Sequence, residues 1–174
     1  MRRVLAGVAL VVAIGVAQRL IPDADRIYQP IASHGGMKED VAAPPYTLRV
    51  DGVELGRTLT VGEERKTTQG VWVVLRMTGT ATQEAVRIGD ATLVTRDGTR
   101  YGASDRLLGF DFAQLEPGIP RSGSLAFELP WASAEGAVLH VDQGVMGALG
   151  PAVDIDLAVT GLQPKDTVIV ERSE

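Results

Sequence analysis

Residues 46–55 read YTLRVDGVEL. Tyr46, Leu48 and Val50 fall on one side of an extended chain, and Thr47, Arg49 and Asp51 fall on the other. That period of two marks a half-buried β-strand. The following segments repeat or vary it. Residues 71–80, VWVVLRMTGT, are apolar on both faces over their first half, as a central strand can be, and break at Thr78-Gly79. Residues 91–102, ATLVTRDGTRYG, read as a hairpin that turns at Asp97-Gly98, because glycine accepts the positive φ such a turn requires. Residues 116–130, EPGIPRSGSLAFELP, place a turn at Pro117-Gly118 before a strand with Leu125, Phe127 and Leu129 inward. Two more strands follow in AVLHVD (137–142) and VDIDLAVT (153–160). In the second, Val153, Ile155, Leu157 and Val159 share an apolar face. Six or seven short strands separated by turns, without an amphipathic helix or βαβ alternation, predict an all-β antiparallel sandwich.

The chain has 174 residues and a net charge of −5, with acidic and basic side chains mixed along it. One domain of ordinary size fits that length. With no basic stripe there is no nucleic-acid footprint. The absence of cysteine excludes disulfides, thiolate metal sites and cysteine nucleophiles. Asparagine is missing too, so no N-glycosylation acceptor exists.

Ahead of the strands stands a different kind of sequence. Val4 to Ala17 carries no charged or polar side chain over about 14 residues, and Gly15-Val16-Ala17 has the small-x-small form of a signal-peptide cleavage site. Leu20 and Ile21 extend the apolar run to about 18 residues, with Arg19 able to snorkel to the headgroups. At ~1.5 Å per residue the run spans roughly 27 Å, close to the ~30 Å hydrocarbon thickness, and Pro22 ends it. The favoured expectation is a retained signal-anchor over residues 1–21, with Val4, Leu10, Val11, Ile14, Leu20 and Ile21 in lipid and the remainder outside the cytoplasm. Secretion after cleavage is the alternative. Arg2 and Arg3 before the run are balanced by Arg19 and Arg26 after it, so the positive-inside count decides nothing. Residues 22–45, with four prolines and the Gly35-Gly36 pair, read as an extracytoplasmic stalk. The sandwich is expected over 46–162, and 163–174 as a tail or short final strand.

From about residue 71 to 141, the order of VWVVLRMTGT, ATLVTRDGTRYG and LEPGIPRSGSLAFELP resembles a bacterial family of unknown function. Its members are immunoglobulin-like sandwiches, similar to telokin and to a secreted mycobacterial immunoprotective antigen. The resemblance implies an immunoglobulin-like fold held outside the membrane by a signal-anchor or a lipid. It implies no activity, since fold alone does not give one. Two features depart from the family: Thr78 stands where an Asn is usual, and the chain has no lipobox cysteine, so any anchor must be the apolar run.

Catalytic patterns are absent. There is no G-x-S-x-G, P-loop or dinucleotide fingerprint. Ser122 and Ser124 flank Gly123 at a strand start and serve the turn. Of the two histidines, His34 lies in the stalk and reads as solvated. His140 is placed on the polar face of its strand with Asp142 two residues on, which reads as a solvent-facing pair. Asp154 and Asp156 share a strand face roughly 6.6 Å apart. They read as the wet side of the sheet rather than as a metal site, and no cofactor is expected.

Two connections carry more apolar side chains than a loop needs: Leu107, Leu108, Phe110 and Phe112 in DRLLGFDF, and Val145, Met146 and Leu149 in QGVMGALGP. The ordinary reading folds both over the open ends of the sandwich. If exposed, they are the first candidates for a partner surface, with Trp131 a lesser one. The expectation is a non-catalytic, membrane-anchored extracytoplasmic module that binds or stabilises another cell-envelope or integral membrane protein. Its alternative is a sandwich that takes a lipid, glycan or metal ion.

Overall fold

The computed structural model describes residues 31–104, 110, 113–143 and 150–170. Twelve strands lie among them: β1 (Ile31–Gly36), β2 (Val41–Ala43), β3 (Tyr46–Val61), β4 (Glu64–Ala81), β5 (Val86–Arg87), β6 (Ala91–Val94), β7 (Arg100–Gly102), β8 (Gln114–Leu115), β9 (Arg121–Leu129), β10 (Val138–Val141), β11 (Pro151–Asp156) and β12 (Lys165–Val170). A single-turn helix, α1 (Trp131–Ala134), follows β9.

The strands form two main sheets. One has the order β1-β11-β10-β6-β7 and the other β12-β3-β4-β9, with β2 also beside β3 and a small β5-β8 ribbon apart. The alternation read from residues 46–55 holds, and Tyr46, Leu48 and Val50 are fully buried. They pack in one core with Val73, Leu75 and Met77 of β4, Leu125 and Phe127 of β9, Leu93 of β6, Leu139 of β10, and Val153 and Ile155 of β11. Each such side chain contributes about 1.5–3 kcal/mol relative to exposure. The two-faced apolarity of β4 also has its reason. Trp72 and Val74 point away from this core into a second cluster with Leu59, Val61, Ala126, Val168 and Val170.

The turns follow their glycines. Gly98 and Gly118 hold φ of +81° and +70° in the two turns expected from Asp97-Gly98 and Pro117-Gly118, and Gly62 (φ +58°) closes the long β3–β4 hairpin. The Asp97 carboxylate accepts hydrogen bonds from the Thr95 hydroxyl and, at 3.1 Å, from the Thr99 N–H. These bonds hold its carboxyl below the usual carboxylate range.

Three expectations need correction. The sandwich is not wholly antiparallel, because β1 lies parallel to β11 and β12 parallel to β3. Parallel neighbours require long connections, and here the two ends of the described chain return to edges left by distant strands. Second, residues 31–45 are not stalk. They supply β1 and β2, and β1 becomes an edge by pairing over six residues with β11. Third, of the two readings of 163–174 the short final strand is the one formed, as β12 in the second sheet, so only the bounds change: the sandwich runs from 31 to 170 rather than from 46 to 162. The expected membrane segment, 1–21, lies outside the described residues. Among those described, no helix is long and apolar enough to cross a membrane.

Candidate functional site

Of the seven residues proposed as a partner surface, Phe110 is the one described, and it is fully buried. Its ring packs over Gly79 of β4, where an added Cβ would stand 2.7 Å from Phe110 Cζ and 2.8 Å from Leu48 Cδ2. Phe110 therefore completes the core and is not a surface group, the outcome that the ordinary reading of that connection anticipated. Leu107, Leu108, Phe112, Val145, Met146 and Leu149 lie outside the described residues, as do Val4, Leu10, Val11, Ile14, Leu20 and Ile21.

Among the described residues the exposed large apolar side chains are Ile169, Ile119, Trp131 and Leu162, of which the last two line one depression. Pro130 ends β9 and starts α1, which leaves Trp131 at the end of the sandwich with 47% of its surface exposed. Nearby, Leu162 lies in the connection from β11 to β12 and is 36% exposed. Between these two crossings of the sandwich end lies a depression of about 160 Å³, floored by Leu55, Ala134 and Val159. Its rim is polar: the Thr160 hydroxyl donates to Glu135 Oε1 at 3.3 Å, and Arg96 Nη2 approaches the same oxygen at 4.0 Å. An aromatic face beside a small floor of aliphatic carbon is the form of an anchor site for a side chain or a ring.

A second constellation crosses the outer face of the other sheet. Strand register aligns His34 of β1, Asp154 of β11, His140 of β10 and Thr92 of β6 in one row. Paired residues share a face, so the two histidines of the chain flank one carboxylate. His140 Nδ1 donates to Asp154 Oδ1 at 2.6 Å. On the other side, His34 Nδ1 lies 3.6 Å from Asp154 Oδ2. The far nitrogen of His140, Nε2, is 3.6 Å from Asp142 Oδ2. The side chains of His140, Asp154 and Asp142 are 14%, 21% and 29% exposed, while His34 is 75% exposed.

The nearness of Asp142 to His140 was legible from their spacing, although Asp142 lies one residue beyond β10 and the pair is partly buried rather than solvent-facing. The shorter contact to Asp154 and the arrival of His34 were not, because they depend on which strands are neighbours. His34 is thus a strand residue rather than a linker residue, while its side chain, 75% exposed, is solvated as expected. Asp156, unlike Asp154, is exposed and pairs with Gly36 and Val138. Among the described residues no three His, Asp or Glu side chains stand around a common point as a bound metal ion requires.

A third polar group lies on the outer face of the β3–β4–β9 sheet. Asp51 accepts hydrogen bonds from Thr78 Oγ1 and Arg49 Nε, both at 2.6 Å, and Arg49 Nη1 also reaches Asp40 at 3.0 Å. Partial burial pushes the Asp51 carboxyl up. The bonds from Thr78 and Arg49 and the charges of Arg49 and Arg76 together outweigh that and hold it below the usual range. Thr78 and Ser122 share a hydrogen bond at 3.0 Å. Thr78 is therefore a cross-strand linker.

No family model matches the sequence, and neither does any curated protein. Solved structures do. The chain is similar to the yjhA protein from Bacillus subtilis, with a TM-score of 0.52 and 14% identity over 70% of this chain and 99% of that one. It is similar as well to MPT63, a secreted protein from Mycobacterium tuberculosis, with a TM-score of 0.53 and 14% identity over 74% of this chain and 98% of that one. At such identities the likeness concerns the fold: this chain is a β-sandwich of the MPT63-like kind, as the strand and turn order of residues 71–141 implied.

Proposed function

We propose that the protein is a non-catalytic, extracytoplasmic sandwich module, held at the membrane by its apolar N-terminal run, that docks on another cell-envelope protein through the Trp131 end. The observation that carries this reading is Trp131 itself, nearly half exposed beside Leu162 over a floor of core side chains. Large aromatics so placed are the residues that dominate interface energetics when a partner covers them. The apolar run of 1–21 supports a position beside the bilayer, where integral proteins are the partners within reach. The secreted neighbour MPT63 supports an extracytoplasmic site for the fold. Replacing Trp131 by a photo-crosslinking phenylalanine analogue in intact membranes tests the reading. A discrete crosslinked protein band is expected, and it should be lost when the crosslinker is moved to the exposed Asp156. Absence of any such band removes the reading.

A second reading rests on the same depression. Its volume of about 160 Å³, the exposed indole and the polar Glu135, Thr160 and Gln163 also suit a small ligand such as a glycan ring or a lipid headgroup. Quenching of Trp131 fluorescence by soluble oligosaccharides or short-chain lipids, without a protein crosslink, favours that reading over the first.

A further inference from the structure

We propose that the sandwich rests one end on the lipid surface, with the turn around Ile119 seated at the boundary of headgroups and acyl chains. This inference rests on the membrane tether of the proposed function and is independent of what Trp131 binds.

Strand register decides which end that is. Tyr46 opens β3 opposite Ala81, the last residue of β4, and Arg121 opens β9 opposite Gly79. Ala81 also bridges to Pro117, and its carbonyl accepts the Gly118 N–H at 3.1 Å. The turn before β9 therefore stands at the Tyr46 end of its sheet. The Tyr46 hydroxyl carries the same end across to the other sheet by donating to the Pro151 carbonyl. Pro151 in turn is paired with Ile31, the first residue of β1. The chain thus enters the sandwich at the end that bears the turn. Trp131 lies beyond the far end of β9. That strand has nine residues, so at ~3.3 Å each the two ends are about 26 Å apart.

The tether is short. Residues 22–30 alone separate the apolar run from β1, and fully extended they span roughly 30 Å. The entry end is the one held nearest the bilayer. To bring the Trp131 end to lipid, almost the whole tether would have to lie along the side of the sandwich.

The turn presents carbon at the entry end. Pro117, Ile119 and Pro120 are all exposed, Ile119 at 62%. The Ile119 N–H donates to the Glu116 carbonyl at 3.3 Å, and Gly118 takes the positive φ of the reversal. The two prolines have fixed φ, so the turn has little freedom left to lose when something covers it. Charges around it balance, with Arg87 and Arg121 against Glu84 and Glu116, all exposed. Contact with lipid is therefore apolar in origin and needs no anionic headgroup. One isoleucine would not hold a free domain at a membrane. On a tethered domain the encounter is already intramolecular, and a weak contact is enough to set the orientation.

The chain has no cysteine, so a single nitrobenzoxadiazole label can be placed by substitution. Arg121→Cys reports on the turn with Ile119 intact. Ile169→Cys reports on β12, which pairs with the distal half of β3 and lies away from this end. Both positions are exposed, and an unchanged circular dichroism spectrum verifies the fold. The labelled full-length protein is reconstituted in phosphatidylcholine vesicles, floated on a density gradient, and exposed to lipid carrying a nitroxide near the top of its acyl chains. The label at 121 should emit at shorter wavelength and lose most of its intensity to the nitroxide. The label at 169 should keep its intensity. Adding Ile119→Asp should abolish the quenching at 121 while the protein still floats. A protein that does not float removes the tether and the proposal with it. A protein that floats without quenching at 121 overturns the proposal and leaves the tether standing. A wavelength shift at 121 without quenching, as a second copy of the chain covering the turn would give, overturns it too. So does quenching that Ile119→Asp leaves unchanged, or that is equal at 121 and 169.

Discussion

The hydroxyl of Tyr46, the first residue of β3, donates to the carbonyl of Pro151, the first residue of β11, at 3.0 Å across 105 positions of sequence. One side chain thereby spans the core and fastens one sheet to the other. Burial raises the Tyr46 pKa far above the ordinary value, and the nearby charge of Asp142 adds to that, so the hydroxyl keeps its proton as a donor at neutral pH. Tyr46→Phe keeps the ring and removes only the hydrogen bond. It should cost about 1 kcal/mol, the net contribution of a typical internal hydrogen bond. Tyr46→Ala should cost about 3–5 kcal/mol, as for other large aromatics cut back to alanine. Urea denaturation of both variants measures the difference, and equal losses would show that the hydroxyl contributes nothing.

The burial of Phe110 makes an opposed pair of predictions. A surface phenylalanine is replaced by alanine at almost no cost to the fold, whereas Phe110→Ala should destabilise by about 3–5 kcal/mol. Gly79→Ala pushes a methyl group into the space held by Phe110 and Leu48, and overpacking of this kind costs about 1–3 kcal/mol. The two residues touch, so their effects should not add. Gly79→Ala combined with Phe110→Leu should be more stable than the sum of the single changes allows. Additivity within error in a double-mutant cycle would count against the contact.

Acid should weaken the fold partly through Asp51. Its carboxyl titrates lower in the folded chain than in the unfolded one. The stabilisation is therefore complete above the unfolded value of about 3.9 and is lost as pH falls through the lower, folded value. Asp51 and Arg49 are each 36% exposed, which keeps the magnitude in the surface range of at most ~1 kcal/mol. Thr78→Val removes one of the hydrogen bonds that lower the pKa. The variant should lose less stability than the wild type as the pH falls from the unfolded value of about 3.9 through the lower range where the folded carboxyl titrates. Identical pH profiles for the two proteins would remove Asp51 as the cause.

What the sequence shows plainly is whatever depends on near neighbours in the chain. Tyr46, Leu48 and Val50, the turns at Gly98 and Gly118, and the two-sided burial of β4 all follow from alternation and turn chemistry over a few residues. β1 escapes the same reading because IASHGG has little alternation and two glycines. It is a strand only because β11 offers an edge, and that information is not local. The His34–Asp154–His140 row was hidden for the same reason. Its members are 120 and 14 residues apart, and they meet through sheet order rather than spacing. Trp131 was visible as an aromatic after a proline, but its exposure depends on how α1 crosses the sandwich end.

The apolar run ahead of β1 makes the last prediction, about tethering. If residues 4–21 span lipid, a charge at their centre works against insertion. Lysine at the middle of a spanning helix costs ~2.5–3.5 kcal/mol on insertion scales, enough to shift a marginal span of about 18 residues. Val11→Lys should therefore move the sandwich out of the membrane fraction or leave it unexported in the cytoplasm. A conservative Val11→Leu should change nothing. Protease added to intact cells after outer-layer permeabilisation should digest the wild-type domain and spare an unexported one. Mature protein found in the culture fluid beginning at Gln18 would instead identify the run as a cleaved leader. Full retention of the lysine variant in washed membranes would show that something other than this run, such as the partner at Trp131, holds the domain there.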